Sequence, residues 1–515
     1  MQDLFEARFT AGRAPALAAE ITRPGRAPVR VLRGDVDGTG RAPGEDTAFR
    51  IASCTKSFTA AAALVLRRAG RLDLDGDIRH WLPRLRFTGP LAPDRPVTVR
   101  HLLTMSAGLP EDDPWADRQE AMPREQFDRL LARGVRLASP PGTRFRYSNL
   151  GYAMLGRILE LAAEADYREL VTGRLLHPLG LADTGFSTDL PVPVARGYRR
   201  APDGWQALPF SGPGSFSPIG GLFSTLRDLR RWAAWLAAGP ASELGRAADP
   251  GLAAGPLDLA ERAEMQRIHR PAPPRTQDRA GTRRGYGFGL NVVEDPAAGP
   301  IIFHSGGYPG FGAHMRWHPG TGTIALGLEN ATYSRVGETV APALEAAIGR
   351  QPAVPAQPPP PAESDTGTGA WPELNAARDA LNAWLLTPTA ETERALRSRF
   401  ASNVEQDRPW PERSAHWLRL RAAAGSLRPG DARPAGGEAP AELRWIVPGA
   451  REDLCCLIQL NPIEPPQVQR IDVEPAPPPN TKHADKMLAF CPESRKTRGY
   501  GGNHGDKVAA GNGQR

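Results

Sequence analysis

Residues 51–60 read Ile51-Ala52-Ser53-Cys54-Thr55-Lys56-Ser57-Phe58-Thr59-Ala60 and run straight into the helix-forming Ala61-Ala62-Ala63-Leu64-Val65-Leu66. At helical spacing Ser53 and Lys56 are three apart, so their side chains share a face one turn apart. An amine then stands beside a hydroxyl at a helix N-terminus, where the dipole and the free N–H groups favour developing negative charge. A serine hydroxyl is a poor nucleophile alone. A neighbouring lysine can serve as its base if burial or nearby cations lower the amine's pKa. The plain alternative is an N-cap followed by a solvated lysine, and Ser-x-x-Lys by itself is a weak signal. The rest of the chain has to decide between them.

Working outward, the helix should start at Ser53 and end near Gly70. Before it, 3–11 reads as a short helix, and 16–22 and 29–33 as a strand pair across the Pro24-Gly25 turn. After it, 98–106 reads as a capped helix running into Ala107-Gly108-Leu109-Pro110. The polar residues 111–117 then form a loop over a pocket. An extended segment, 140–152, feeds an amphipathic helix reaching about Ala163. Residues 285–293, 301–304, 313–318 and 323–329 alternate as strands of an antiparallel sheet. Helices in the middle and strands at both ends predict an α+β fold, an α/β sandwich. Its antiparallel sheet is flanked by helices and closed by both termini, with an all-helical subdomain beside it.

Length and composition agree with more than one unit. The chain has 515 residues, 40% hydrophobic and 23% charged, as in an ordinary globular protein. Residues 1–350 read as the main domain, and 351–370, with Pro358-Pro359-Pro360-Pro361, as a semi-rigid linker. A small α+β accessory domain is expected over 371–475: helices at 371–400 and 417–425, then strands at 442–447, 454–460 and 468–473. Residues 476–515 are poor in apolar side chains and read as a disordered basic tail. Residues 482–515 hold seven basic and three acidic side chains, so much of the net charge of +7 sits there. A solvated tail of this kind gives no reason to expect a nucleic-acid partner. Cys54, Cys455, Cys456 and Cys491 have no metal-ligand spacing, and Cys54 reads as a packing residue. No metal and no cofactor are expected. The first residues lack a basic and then apolar leader, and no apolar run reaches membrane-spanning length. The expected location is cytoplasmic.

Two further stretches carry chemistry. In Tyr147-Ser148-Asn149 a phenol could relay a proton between nucleophile and leaving group, and an amide could orient a carbonyl or the lysine. Standing alone, the triplet would be a structural tyrosine before an Asn N-cap. In Phe303-His304-Ser305-Gly306-Gly307 the glycines permit close backbone approach, and a following N–H can point at an oxyanion. Standing alone, it would be a turn ending a strand.

In this order and at these intervals, Ser53-Cys54-Thr55-Lys56, Tyr147-Ser148-Asn149 and His304-Ser305-Gly306 resemble the S-x-x-K, Y-x-N and [KH]-[ST]-G motifs of the serine β-lactamase/penicillin-binding superfamily. The likeness is to its class C-like branch, with D-alanyl-D-alanine carboxypeptidases, D-amino-acid-releasing hydrolases and β-lactamase-like carboxylesterases. Residues 101–109, 141–145 and 217–225 look familial as well, and the resemblance covers 3–350. It implies Ser53 as acyl-accepting nucleophile, Lys56 as its activating partner and Tyr147 as general acid/base. Asn149 would position Lys56 and the substrate amide. His304 would supply polarity, Ser305 and Gly306 would border the substrate, and the N–H groups of Ser53 and Gly307 would form the oxyanion hole.

The departure is His304, where many β-lactamases carry a lysine. A histidine is only partly charged near neutral pH and meets a substrate carboxylate less well. This favours a peptidase or esterase acting on a small D-amino-acid peptide or short-chain ester. Arg144 and Arg316 could replace the charge but read more simply as solvated or structural. Asp112, Asp113 and Asp117 could meet a substrate ammonium, though an exposed acidic loop is the simpler reading. His101 reads as a helix residue near the core, and His314 and His318 share a strand face without a third ligand. The alternatives are a penicillin-binding-like sensor or scaffold without turnover, or a weak class C-like β-lactamase. Nothing in 371–475 makes a catalytic constellation.

Overall fold

The computed structural model describes residues 1–238, 255–275, 278–350, 369–435 and 439–476. The expected linker, bar its last two residues, and the expected tail beyond Ala476 lie outside them. The central feature is an eight-stranded antiparallel sheet. Its strands are β1 (Ala16–Arg23), β2 (Arg26–Gly34), β3 (Arg270–Pro271), β4 (Arg283–Tyr286), β5 (Asn291–Asp295), β6 (Gly299–Tyr308), β7 (Phe311–His318) and β8 (Thr323–Glu329). The spatial order is β2-β1-β8-β7-β6-β5-β4-β3. The first hairpin therefore pairs with the last strand, Leu17 opposite Glu329 and Thr22 opposite Ile324. Both ends of this region close one sheet.

Strand alternation divides the sheet's two faces. Leu17, Ala19 and Ile21 pack with Phe5 of helix α1 (Gln2–Thr10) and with Val336, Val340 and Leu344 beside or on helix α7 (Gly337–Ala347). Ala16 and Ala18 face the main core instead. That core contains helices α2 (Thr55–Arg68), α4 (Asn149–Ala163) and α6 (Leu226–Ala237). Helix α2 is buried on nearly every side, which an alanine-rich sequence allows because thin side chains let neighbours close in. The sandwich is α1 and α7 on one face and the layer of α2, α4 and α6 on the other.

Two expected elements are divided. Residues 285–293 are not one strand: β4 and β5 form a hairpin in which Gly287 N–H donates to Leu290 O, and Gly289 takes φ +68°. A Cβ on Gly289 would lie 2.4 Å from Lys56 O, so glycine lets this turn approach α2. Residues 371–400 are likewise two helices, α8 (Pro372–Leu386) and α9 (Ala390–Arg397), with Thr389 capping the second.

Together with α10 (Asn403–Asp407) and α11 (Trp410–Ala424), these helices pack on a second sheet of β9 (Arg433–Pro434), β10 (Glu442–Val447), β11 (Leu454–Leu460) and β12 (Val468–Pro475). Trp384, Trp410 and Trp417 meet edge to face in its centre, with Trp371, Trp445 and Val473 in the same core. This C-terminal unit thus has its own core, and it docks on the first region. Arg136 reaches Glu373 and Glu464 at 2.9 and 2.8 Å and lies over the Trp371 ring.

Helix α1 is locked to the sheet by a buried ion pair, Arg8 Nε donating to Glu329 Oε1 at 2.6 Å. Arg8→Met should strand the Glu329 carboxylate, and because orphaned buried charges cost about 3–5 kcal/mol, the midpoint of urea unfolding should fall accordingly.

Candidate active site

Ser53 lies in a tight 3-10 turn, Ala52–Cys54, that leads into α2. Ala52 holds φ +47°, a left-handed conformation that costs a side-chain-bearing residue on the order of 1 kcal/mol and sharpens the turn. The turn keeps the three-residue offset. Lys56 Nζ sits 3.0 Å from Ser53 Oγ and donates to Ile219 O at 2.8 Å. Lys56 has no exposed surface, and Ser53 is partly open. Burial lowers the lysine pKa to about 8, against the opposing pull of the Asp113, Asp117 and Asp112 carboxylates. A solvated lysine is thereby excluded.

Tyr147 closes the arrangement. Its ring lies 5.0 Å from Lys56 Nζ and 6.2 Å from the His304 ring. Burial and the Asp113 charge hold its phenol well above the usual range, with a Ser53 hydrogen bond opposing, so it remains a neutral O–H donor. Asn149 is fully buried. Its Nδ2 donates to Asp113 Oδ1 at 2.7 Å, while its Oδ1 has no partner. The hydrogen bonds of Lys56 go to Ser53 and Ile219 rather than to Asn149.

The third motif lies on β6. His304, turned toward Tyr147 and Tyr286, is buried, and its Nδ1 is 2.7 Å from Ser305 O. A carbonyl only accepts, so Nδ1 carries the proton and Nε2 accepts from Tyr286 O–H at 3.0 Å. Burial, then the Lys56 charge, pushes the His304 pKa down to about 3, so the ring is neutral at physiological pH. Alternation turns Ser305 to the opposite face, where its exposed side chain pairs with His314 Nδ1 at 2.9 Å. A Cβ on Gly306 would lie 2.4 Å from Ile51 O, so this glycine lets β6 press against the turn that carries Ser53. Pairing with β5 stops at Phe303, whereas pairing with β7 runs on to Tyr308. Among the described strands, none pairs with 304–308 on that side, and Gly307 belongs to this open edge.

The acidic segment differs from the exposed loop expected of it. Asp112 is fully buried, Asp117 nearly so, and residues 113–116 form a short helix, α3 (Asp113–Ala116). The reason is the N-terminus of α4. Asp112 accepts from Asn149 N at 2.7 Å, Leu150 N at 2.8 Å and Ser148 Oγ at 3.1 Å, satisfying donors that a helix start leaves open. Burial still raises its pKa to about 7. Arg316 is structural: half-buried, with its guanidinium over the Phe303 ring and its pKa lowered to about 10 by desolvation. Arg144 is exposed. His318 bonds Thr321 and Ala298 O, and His101 completes a capping box with Thr98. Cys54 packs without exposure, its Sγ 3.4 Å from His304 O and its thiol pushed up to about 12 by burial.

Several contributors gave no sequence signal. Ile219 acts through its carbonyl, which any residue could supply. Glu120 accepts from Ser217 Oγ at 2.7 Å and lies 3.5 Å from Arg50, fixing the helix α5 (Ser217–Gly220) that presents that carbonyl. Tyr286 reads from sequence as a plain strand aromatic. Among the described residues, no three His, Cys, Asp or Glu side chains group as a metal site, and no helix is long and apolar enough to cross a membrane.

A Ser53-Lys56 pair with its lysine buried, a neutral tyrosine and an open strand edge thus meet on this sandwich. The Beta-lactamase family matches residues 1–350, and the chain belongs to that family, which includes serine amidases, esterases and β-lactamases. One relative, Beta-lactamase-like protein 2 of Dictyostelium discoideum, is 31% identical over 195 residues, 36% of this chain and 35% of its own length. The chain thus spans about a third of that relative. A penicillin-binding protein homologue from Pyrococcus abyssi superposes with TM-score 0.57 at 24% identity over 68% of this chain and 77% of that one. A D-amino acid amidase from Ochrobactrum anthropi, solved with D-phenylalanine, gives 0.54 at 25% over 68% and 98%.

Replacing Asp112 by Ala should leave two backbone N–H groups and a hydroxyl without their acceptor, a loss on the order of 3 kcal/mol. Urea unfolding monitored by tryptophan fluorescence reads it directly.

Proposed function

We propose that the protein hydrolyses an amide or ester through a Ser53 acyl-enzyme. The observation that carries this reading is the fully buried Lys56 amine, 3.0 Å from Ser53 Oγ with its pKa lowered to about 8. Once neutral, Lys56 keeps one N–H on Ile219 O and offers its lone pair to the serine proton. Ser53 Oγ then bonds to the acyl carbon, and the N–H groups of Ser53 and Gly307 receive the oxyanion. The leaving nitrogen or oxygen departs with a proton from Tyr147, which is replenished from protonated Lys56. Water attacks the ester by the reverse relay. Asn149, with Oδ1 unengaged, is placed to receive a substrate N–H.

The substrate we propose is a small D-amino-acid amide or peptide, or a short-chain ester. Neutral His304 offers no fixed cation for a substrate carboxylate, and the carboxylates of Asp113, Asp117 and Asp112 act on Lys56 beside it. Both features favour acyl donors that are neutral or carry an ammonium over β-lactams or peptides ending in a carboxylate. The likeness to a D-amino acid amidase supports the same choice.

Intact mass after fluorophosphonate treatment should show one adduct, absent in Ser53→Ala. No adduct on folded wild-type protein would rule the hydrolase out in favour of a ligand-binding role. Lys56→Ala and Tyr147→Phe should each cut turnover roughly 100- to 10,000-fold while the circular dichroism stays that of the wild type. The labelling rate should climb as pH rises through about 8, where Lys56 gives up its proton. A rate independent of pH across that range would remove Lys56 as the base.

A further inference from the structure

The segment 111–120 is gripped from two sides. Toward the active site, Asp112 accepts from Ser148, Asn149 and Leu150, Asp113 holds the Asn149 amide, and Glu120 holds Ser217 beside Ile219. On its other side stands the C-terminal unit. Gln469 of β12, 1% exposed, donates through Nε2 to Glu111 O at 2.7 Å and to Leu460 O at 3.0 Å. Its Oε1 accepts from Trp115 N at 3.3 Å. Asp407 on α10 takes two donors from Arg118, at 2.9 and 2.8 Å. Asn403 joins the two anchors, its Nδ2 bonding both Gln469 O and Asp407 Oδ2.

The bonds from Gln469 fall on the carbonyl of 111 and the amide of 115, bracketing Asp112 and Asp113. Such bracketing has a physical purpose. Asp112 is desolvated and repelled by the Asp113 charge, so an unbraced segment would turn its carboxylates out toward water. The unit's docking does not need this contact, because Arg136 with Glu373, Glu464 and Trp371 forms a separate joint. We infer that the C-terminal unit is a positioning part of the catalytic machinery. Gln469 and Asp407 brace residues 111–120, which in turn set Tyr147-Asn149 and the Ile219 carbonyl around Lys56. The kinetic side of this inference rests on Ser53 being the nucleophile; the structural coupling does not.

The test uses the full chain with Gln469→Met, which keeps length and packing but removes three hydrogen bonds, and Asp407→Asn at the partly exposed edge. Amide hydrogen exchange at Asn149 and Leu150, which bond Asp112 rather than either substituted side chain, reads the coupling. It should quicken about tenfold in Gln469→Met, the worth of one lost buried hydrogen bond, and less in Asp407→Asn, with β7 unchanged. Fluorophosphonate labelling of Ser53 should slow about tenfold and its pH inflection should move down. Lys56 faces Asp112, Asp113, Asp117 and Glu120 from this segment, Cys54 on its own turn, Tyr147 and Tyr152 across the pocket, and His304 on β6. Only the segment's carboxylates recede in the variants, and they are what hold the lysine's pKa up. Arg433→Ala, an exposed site elsewhere in the unit, should change neither reading.

Wild-type exchange at Asn149 and Leu150 in both variants would overturn the inference, as would slower labelling without faster exchange. If Gln469→Met fails to fold, exchange in Asp407→Asn decides. A wild-type protein that takes no adduct would defeat the hydrolase reading, and the exchange data would still decide the coupling.

Discussion

An amine held out of water next to a hydroxyl is the constraint on which the rest of this structure depends. Lys56 has no contact with solvent, and burial alone would drive it toward a neutral, ill-anchored base. Two features keep it in place. The Ile219 carbonyl fixes one of its hydrogens, and the carboxylates of Asp113, Asp117 and Asp112 retain enough favourable field to leave its pKa near 8. The lysine is thus poised to exchange its proton around neutral to mildly basic pH, the range in which a base is most useful to a serine. Tyr147 shows the opposite adjustment, since burial and the same carboxylates keep it protonated. Burial, which disfavours the charged form of an amine and of a phenol alike, therefore moves the two pKa values in opposite directions.

That acidic set must itself be supported, and the fold is built around doing so. Helix α4 presents unpaired N–H groups at its start, Asp112 fills them, and Asp113 takes the Asn149 amide. Glu120 anchors α5 from the same segment. Nothing of comparable polarity guards the third motif. His304 spends both ring nitrogens on Ser305 O and Tyr286, and β6 leaves its backbone edge open from 304 onward. The site thus combines the carboxylates of 112–117 with a neutral histidine and a strand edge that no described strand pairs with.

Much of this was legible in the chain. The Ser53–Lys56 spacing placed both groups on one face, and the tight turn before α2 kept that register. The N-terminal hairpin, the strands 313–318 and 323–329, and the helix ending at Ala163 follow from periodicity and turn residues. Where reasoning from sequence failed, tertiary packing had changed the meaning of a local pattern. Residues 111–117 look like a solvated acidic loop because nothing local reveals that α4 begins beside them. Residues 285–293 look like one strand because the hydrophobic period survives across a hairpin whose purpose is to let Gly289 approach Lys56.

The sequence by itself determined the family-like order of three motifs, the antiparallel sheet and the pairing of serine with lysine, because each rests on spacing along a helix or strand. Tertiary structure alone decided the protonation states of Lys56, Tyr147 and His304. These depend on burial and on charges distant along the chain, such as Asp113 on Lys56 and Lys56 on His304. It also decided that Gln469 of the C-terminal unit would touch the main chain of Glu111 and Trp115. A glutamine has no local signature when its partners are backbone atoms more than 350 positions away. Hydrogen bonding and desolvation are read in space, and only the folded chain brings those partners within reach.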